Sequence, residues 1–490
     1  MEPHRLLAAR PLADAKAAQT RTATRERPRI LRAGPRPSLE KAETEQAISP
    51  AAAAKDGLID GLGFDLDALL GKKRQNDQPV SLDPERAGAE PFARFHRGIV
   101  MDCLDRLSML GRHRRARALS VRPRLEERLL AQIDALAVAG MTAEEAMGFV
   151  DSEVEDDPWA VWGPALSLAC FAGVESLVGV HAMIRALPDE AREAGSIAAS
   201  ALAVSPHPEL EALARDLMEA PEPIARAVGV DVASRRGWLS PAEATRLFRD
   251  PSPAVIAAAL RAQVELVPRG KAGARPADRR GAGAEVPWDA MRSHLRSADP
   301  DVAWSAARAL VLLGDPSPYG EARAGALTEI LGAKALEILV LAGEPEDADT
   351  VLRIARGLPM TADVLSALAR FGHASARPLL LHALAQPELA EDAAEALATL
   401  FGPAVTGEAA MDPRAWTAAT ASVDATRAVR IRRGAPWSSP IVARECAALS
   451  LTGEAAALRL DELLARSGVR PMVDLDVFWP ELRPALEGMA

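Results

Sequence analysis

The chain has 490 residues, of which 49% are hydrophobic and only 4% aromatic, and its formal net charge is −10. This length is too great for one ordinary core but suits a repeat array, in which each unit packs only against its neighbours. Alanine, the strongest helix former, dominates the chain and β-branched runs are scarce, which argues against sheet-based classes and predicts an all-α fold. The acidic balance argues against general nucleic-acid binding, because that binding depends on neutralising phosphates.

The three cysteines, Cys103, Cys170 and Cys446, lie far apart in apolar helical stretches and form no CxxC pair. They predict neither a disulfide framework nor a zinc site. No apolar stretch approaches the ~20 residues needed to span a bilayer, and the N-terminus lacks the apolar region of a secretory signal. We therefore expect a cytoplasmic protein that makes no membrane contact.

Residues 1–88 are rich in Arg, Pro and Ala without sustained periodicity, which predicts a disordered basic tail. One island in this tail, residues 57–73, reads GLIDGLGFDLDALLGKK and has leucines at helical spacing. Two interpretations stay open for it. It is a docking peptide that folds on a partner, or a helix that packs on the body of the same chain.

From Glu90 the hydrophobic pattern becomes continuous, and its unit is visible in residues 297–318, SADPDVAWSAARALVLLGDPSP. Asp299 predicts a helix N-cap, and the proline after it suits the first helical position. Ser305 and Arg308 fall on the face opposite the apolar one. Gly314 follows as the residue that tolerates a left-handed helix end. The apolar face of this predicted helix is formed by Val302, Ala306, Ala309, Leu310 and Leu313.

The same pattern recurs along the chain with a period near 30 residues. Glycines end successive apolar runs at intervals of 29, 29 and 30 residues, at Gly314, Gly343, Gly372 and Gly402. A period of this length predicts hairpins of two helices that bury their apolar faces by stacking. The sequence thus predicts an α-solenoid of about eight hairpins over 89–410, with a flexible insertion loop at 268–287 and an irregular helical cap at 411–490.

The string Asp-Pro-x-Val-x-x-x-Ala-x-x-Ala-Leu-x-x-Leu-Gly at 299–314 resembles the second helix of HEAT-like repeats, and the likeness covers roughly 150–405. Together with DPWAVWGPALSLACFAG (157–173) and RIRRGAPWSSP (430–440), it resembles a proteobacterial family of HEAT-like proteins. Members of that family are sometimes encoded beside type VI secretion genes. The resemblance implies a solenoid and a secretion-system context, and it transfers no catalytic residues.

No HExxH, GxxxxGK[ST], GxGxxG or GxSxG string occurs, and the eight histidines form no metal-binding pair. The sequence therefore predicts no catalytic residue, no cofactor and no metal. Three basic segments stand out instead, interpreted either as a surface for anions or an acidic partner, or as solvated stretches. The candidate partner-binding residues in them are Arg112, Arg114, Arg115, Arg117, Arg279, Arg280, Arg430, Arg432, Arg433 and Trp437.

A repeat array without catalytic motifs predicts a non-catalytic scaffold or adaptor whose concave face binds proteins of unknown identity. A HEAT-like DNA-repair glycosylase is the alternative, and it requires a basic concave face with aromatic residues and an acidic catalytic group. The acidic body and the sparse aromatic residues disfavour it, so nucleic acid is not an expected partner. A third interpretation, a HEAT-like lyase that attaches a chromophore, has no supporting residue.

Overall fold

The computed structural model describes residues 89–266, 286–424, 426–468, 470–471 and 473–489. The predicted tail, its 57–73 island and nearly all of the predicted insertion loop lie outside these residues. The chain divides into two compact units, residues 32–99 and the remainder, and of the former the structure describes only the start of the first helix. The described residues form 23 α-helices and one two-stranded antiparallel sheet, which confirms the all-α prediction. Within them, no helix combines the length and apolar character needed to cross a membrane.

The helices before the gap at 267–285 are α1 Ala89–Ala116, α2 Arg122–Ala139, α3 Ala143–Glu153, α4 Trp162–Cys170, α5 Val174–Arg185, α6 Arg192–Ala203, α7 Leu210–Met218, α8 Pro223–Arg235, α9 Pro241–Arg246 and α10 Pro253–Glu265. The next are α11 Trp288–Ser293, α12 Pro300–Leu313, α13 Ser317–Ala324, α14 Thr328–Leu331, α15 Lys334–Ala342, α16 Ala348–Arg356, α17 Ala362–Phe371, α18 Arg377–Leu384, α19 Ala390–Phe401 and α20 Pro413–Ala419. The C-terminal elements are β1 Ile431–Arg432, β2 Ala435–Pro436, α21 Ser439–Ala447, α22 Gly453–Ser467 and α23 Trp479–Glu487.

The local signals that predicted α12 are confirmed. The Asp299 carboxylate accepts hydrogen bonds from the amides of Asp301 at 3.0 Å and Val302 at 3.1 Å, so it caps the helix. Gly314 ends the helix with a left-handed backbone, φ 93°. Gly343 ends α15 differently, with extended backbone, and a Cβ there would lie 2.4 Å from the carbonyl oxygen of Leu339. Close backbone approach, not a left-handed turn, therefore requires glycine at that position.

Eight helices pack side by side in sequence, and we call them the inner row: α4, α6, α8, α10, α12, α15, α17 and α19. A second helix lies against most members of the row, for example α7 against α8 and α18 against α19. Small residues allow this close packing. A Cβ added at Gly195 would lie 2.8 Å from Cγ2 of Ile224, so α6 and α8 approach closely at this point. The buried apolar side chains of the row belong to two core clusters, one in its first helices and one in its last.

The polar face of α12 does not face solvent. Ser305 is buried, and the Arg308 guanidinium forms a bidentate pair with the Asp461 carboxylate, at 2.7 and 2.6 Å. Asp461 belongs to α22, which packs against both α12 and α15. A later segment of the same chain therefore covers this face of the inner row.

Residues 430–489, which we call the C-terminal strap, run from the last helices of the row back to the first helices of the chain. At one end the Ile431 amide donates to the Gly372 carbonyl oxygen at 2.6 Å. At the other end the Leu119 amide donates to the Leu451 carbonyl oxygen at 2.8 Å, and Leu119 shares an apolar cluster with Leu482. The strap thus contacts both the last helices of the row and the first helices of the chain.

Replacing Gly372 with Ala tests whether the strap is seated on the row. Gly372 and Gly140 both have left-handed backbones, φ 79° and 75°, so alanine strains each by about 1 kcal/mol. A Cβ at Gly372 would also lie 2.5 Å from the Ile431 carbonyl oxygen, whereas nothing lies within 4 Å of one at Gly140. We expect Gly372→Ala to lower the free energy of unfolding by about 1–3 kcal/mol more than Gly140→Ala, measured by chemical denaturation. Equal losses of unfolding free energy in the two variants would contradict the contact between the strap and Gly372.

Candidate functional site

A cleft of about 730 Å³ lies where the strap passes over α6, α8, α10 and α12. A neighbouring cleft of about 400 Å³ shares several of its lining residues, including Arg115, Trp304 and Asp476. Both volumes are in the range of ligand sites, but charged side chains line these walls to an unusual degree. Both signs of charge are present in the larger cleft, on Arg192, Asp231, Arg235, Arg261, Glu265, Asp301, Arg308, Lys334, Asp461, Arg470 and Asp476.

Three ion pairs join the strap to the walls of the larger cleft. Besides the pair between Arg308 and Asp461, Arg235 at the end of α8 pairs with Asp476. Arg470 of the strap pairs with the Glu265 carboxylate and also donates to the Glu265 carbonyl oxygen at 2.6 Å. The strap is therefore anchored by charges on three successive members of the inner row.

Asp476 is surrounded by positive charge. Burial alone would raise the pKa of this carboxyl group, but the guanidinium groups of Arg235, Arg115, Arg114 and Arg122 outweigh it and hold the pKa below its usual value. Burial in turn lowers the pKa of Arg235, and nearby carboxylates, Asp476 first, more than compensate and raise it. Both groups are thus held in their charged forms.

Two of the arginines near Asp476 are fixed independently of it. Arg114 and Arg122 are buried, and the Nε atom of each donates to the same oxygen of Glu126 at 2.9 Å. The Nη2 atom of each is then directed at the strap backbone, where both donate to the Val477 carbonyl oxygen, at 2.6 and 2.9 Å. We call Arg114, Arg115, Arg122 and Arg235 the arginine cluster.

At its other end the strap supplies arginines to the carboxyl ends of inner-row helices. Arg430 donates to the carbonyl oxygens of Val340 and Gly343, both at 3.1 Å, and of Arg370 at 3.0 Å. Arg466 donates to the first two of these oxygens as well, at 3.0 and 2.7 Å. Carbonyl groups at a helix end lack intrahelical partners and carry partial negative charge, so a guanidinium group is well suited to them.

A buried cluster of charges holds the strap together internally. Arg432 and Glu462 are fully buried and form an ion pair, and Trp437 Nε1 donates to the other Glu462 oxygen at 2.6 Å. Glu445 accepts from Arg459 at 3.1 Å and from Arg433 at 3.2 Å. Burial, followed by repulsion from other guanidinium groups, lowers the pKa of Arg459 to about 10.

The structure places the predicted partner-binding residues in different environments. Arg114, Arg430 and Arg432 are buried in contacts within the chain, and Arg433 and Trp437 join the buried cluster at its edge. Arg112 is about half exposed and pairs with Asp157, whereas Arg115 and Arg117 are exposed. Arg279 and Arg280 lie outside the described residues. Binding of a partner by any of them stays a prediction.

The acidic residues opposite these arginines are the functional candidates that the sequence interpretation missed. Asp461, Glu462 and Asp476 all lie in the segment predicted as an irregular cap, and each pairs with a basic residue far away or in another element. Acidic residues do alternate with basic ones in this segment, and this pattern was the sequence signal that it forms ion pairs. Nothing local indicated which arginine each of them meets.

The residues described by the structure contain no group of three or more His, Cys, Asp or Glu side chains placed to hold a metal ion. The three cysteines are buried, and burial raises the pKa of the Cys170 and Cys446 thiols to about 12. Both thiols are therefore protonated at neutral pH.

Comparison of the chain with protein-family models, with curated proteins and with solved structures finds no match. The HEAT-like resemblance therefore stays a prediction. The candidate site is argued from its own geometry.

Glu462 should be critical for stability because it is the fully buried partner of Arg432, and the other carboxylate near Arg432, that of Glu445 at 3.6 Å, is shared with Arg433 and Arg459. We expect Glu462→Gln to lower the free energy of unfolding by about 3–5 kcal/mol in chemical denaturation. Arg483 and Glu487 form a pair at 2.7 Å in which both side chains are 61% exposed. The control Arg483→Gln should therefore cost less than about 1 kcal/mol. Similar losses for the two variants would mean that the buried cluster is not formed.

Attachment of the strap should weaken in acid because the pKa of Asp476 is lower in the folded chain than in the unfolded one. Its stabilising contribution is complete above the unfolded pKa of about 3.9 and is lost as pH falls through the folded pKa. The stability difference between wild type and Asp476→Asn, measured by denaturation at several pH values, should be constant from about pH 7 to 5 and shrink below about pH 4. A difference that grows as pH falls would contradict the depressed pKa.

Proposed function

We propose that this chain is a non-catalytic scaffold, an α-solenoid of about eight helical hairpins that binds segments of partner proteins along its inner row. The contacts between successive row helices, most of which also have a companion helix, support the solenoid arrangement. The period near 30 residues in the sequence supports it independently.

The observation that carries the proposal is the strap itself. Along the row, a polypeptide segment is held by arginine donors to carbonyl oxygens and by ion pairs such as those of Arg308 with Asp461 and Arg235 with Asp476. These interactions recognise the backbone and charge of a polypeptide. The row therefore has the chemistry of a surface for polypeptide segments of mixed charge.

The larger cleft is the part of the row at which a partner has room to bind. Glu193 and Lys334 are exposed at its lining, and the Arg261 and Asp231 side chains pair with each other at 2.7 Å within the row. A partner with charges of both signs can form ion pairs with the acidic and with the basic residues that line the cleft. The proposed context, a bacterial secretion system and a cytoplasmic location, is supported by the sequence resemblance and composition alone.

Affinity capture of the intact chain from its native lysate, with mass spectrometry and with nuclease added, tests the proposed function. We expect a small, reproducible set of proteins that survives nuclease. The double variant Glu193→Arg/Lys334→Glu reverses two exposed charges at the cleft and should lower recovery of that set by about tenfold, because like charges then oppose the partner.

The matched control Glu175→Arg/Arg353→Glu makes the same two reversals at exposed positions on α5 and α16, away from the cleft. It should capture the set as wild type does. Equal recovery with both double variants would exclude the cleft as the binding surface. Recovery that disappears with nuclease would contradict the scaffold proposal and favour the nucleic-acid alternative.

A further inference from the structure

The stretch of the strap that meets the arginine cluster has a distinctive sequence, Val473-Asp474-Leu475-Asp476-Val477-Phe478. It forms no regular helix or strand. The Asp474 carboxylate accepts from the Asp476 amide at 2.9 Å, so the acidic pair forms a tight local turn. The stretch is therefore a short irregular segment in which acidic and apolar residues alternate.

The arginine cluster recognises this stretch through features that any similar segment would offer. Arg114 donates to the carbonyl oxygens of Asp476 and Val477, at 2.7 and 2.6 Å, and its guanidinium group lies 5.2 Å from the ring centre of Phe478. Arg235 pairs with the Asp476 carboxylate. The recognised features are two backbone carbonyls, one carboxylate and one aromatic ring.

Two arginines of the site are held in place by the body of the chain as well as by the stretch. Glu126 fixes Arg114 and Arg122 from within α2, and it also accepts from the Trp479 amide at 2.6 Å. The four guanidinium groups meet carboxylates of the stretch, Asp474 and Asp476, and Arg235 also lies near Asp231 and Glu265 of the inner row. Preorganised guanidinium donors of this kind favour an acidic ligand.

The site also borders open space. Leu475 and Asp476 line both clefts, and so does the exposed Arg115. A second segment can therefore approach the cluster from the clefts while the strap is still in place. Exchange of one acidic segment for another replaces each contact by an equivalent one, so the contact energies nearly cancel and the tethering of the strap sets the free-energy cost.

We propose that the arginine cluster is a recognition site for an acidic–apolar segment of a second polypeptide, with the pattern Asp-apolar-Asp followed by apolar residues, and that residues 473–478 occupy this site as an internal stand-in. The inference rests on the proposed scaffold function and names the chemistry of one partner segment. The incoming Asp pairs with Arg235 and Arg115, and its backbone carbonyls accept from Arg114 and Arg122.

The sequence supplies a probe with this pattern. Residues 64–69 read Phe-Asp-Leu-Asp-Ala-Leu, within the leucine-containing island 57–73. A fluorescently labelled peptide of residues 57–73 is added to the full chain and followed by anisotropy, with Asp65→Asn and Asp67→Asn in the chain so that its own copy of the segment does not compete. A second peptide with Asp65→Asn and Asp67→Asn is the matched control.

We expect the peptide to bind Asp476→Asn at least about tenfold more tightly than wild type, because a weakened internal competitor leaves the site open more often. In that background Arg115→Gln should lower affinity about tenfold, whereas Arg117→Gln, at an exposed arginine that does not line the clefts, should not change it. The Asn-substituted peptide should not bind.

Any of three results would overturn the proposal. The peptide binds no variant, it binds the Arg115 and Arg117 variants equally, or the two peptides bind equally. If Asp476→Asn does not fold, the comparison of Arg115→Gln with Arg117→Gln in the wild-type chain, at higher concentrations of chain, decides the same question. If the peptide does not bind but affinity capture of partners still depends on the cleft residues, this inference alone is refuted. Failure of capture as well would refute the scaffold proposal with it.

Discussion

Unpaired carbonyl groups at the carboxyl ends of the inner-row helices are the constraint on which the structure depends. The strap supplies donors to several of these ends in turn. Arg470 binds the end of α10, Arg430 and Arg466 bind the end of α15, and Arg430 also binds the end of α17. At α19 the backbone amide of Gly434 donates to the Leu400 carbonyl oxygen at 2.9 Å. One segment thereby satisfies polar groups on four helices that would otherwise need water or separate caps.

The charges that accompany these arginines explain why the strap holds a single register. The buried pair of Arg432 with Glu462 lies within the strap, so it fixes the strap's own conformation and not its position on the row. The pairs of Arg308 with Asp461 and of Arg235 with Asp476 join the strap to the row. A shifted register would leave these partly buried charges without their partners, which is costly. Apolar packing supplies attraction along the strap, and these charges select its position.

Local features of the fold could be predicted from the sequence, and long-range ones could not. The cap at Asp299 and the left-handed turn at Gly314 were predictable because each depends on atoms within four residues. The glycine spacing predicted repeats, but it gave no sign that Gly372 also seats Ile431, a residue of the strap. Glycine is required at position 372 because the backbone of Ile431 lies close to it, and this contact exists only in the folded chain.

The candidate site also has local features that the sequence could predict and long-range contacts that it could not. The basic segment around Arg114 allowed two interpretations, a surface for an acidic partner or a solvated stretch, and in the structure Asp476 of the same chain faces it. Residues 308 and 461, which pair at the cleft, are 153 positions apart. Charge composition can predict that such pairs form, but only the packing of α22 against α12 decides which residues meet. The cleft itself, formed where the strap passes over the row, has no sequence signature.

Hydrogen exchange of the intact chain at neutral pH, resolved to short peptides, tests the central claim that the strap is bound along the inner row. The account predicts that the amides of Ile431 and Arg433, which donate to Gly372 and Thr399, are protected to the same degree as those of α17 and α19. It also predicts protection of the Leu119 amide, which donates to Leu451 at the other end of the strap. Exchange of these amides at the rate of an unstructured peptide, with the row helices still protected, would contradict it.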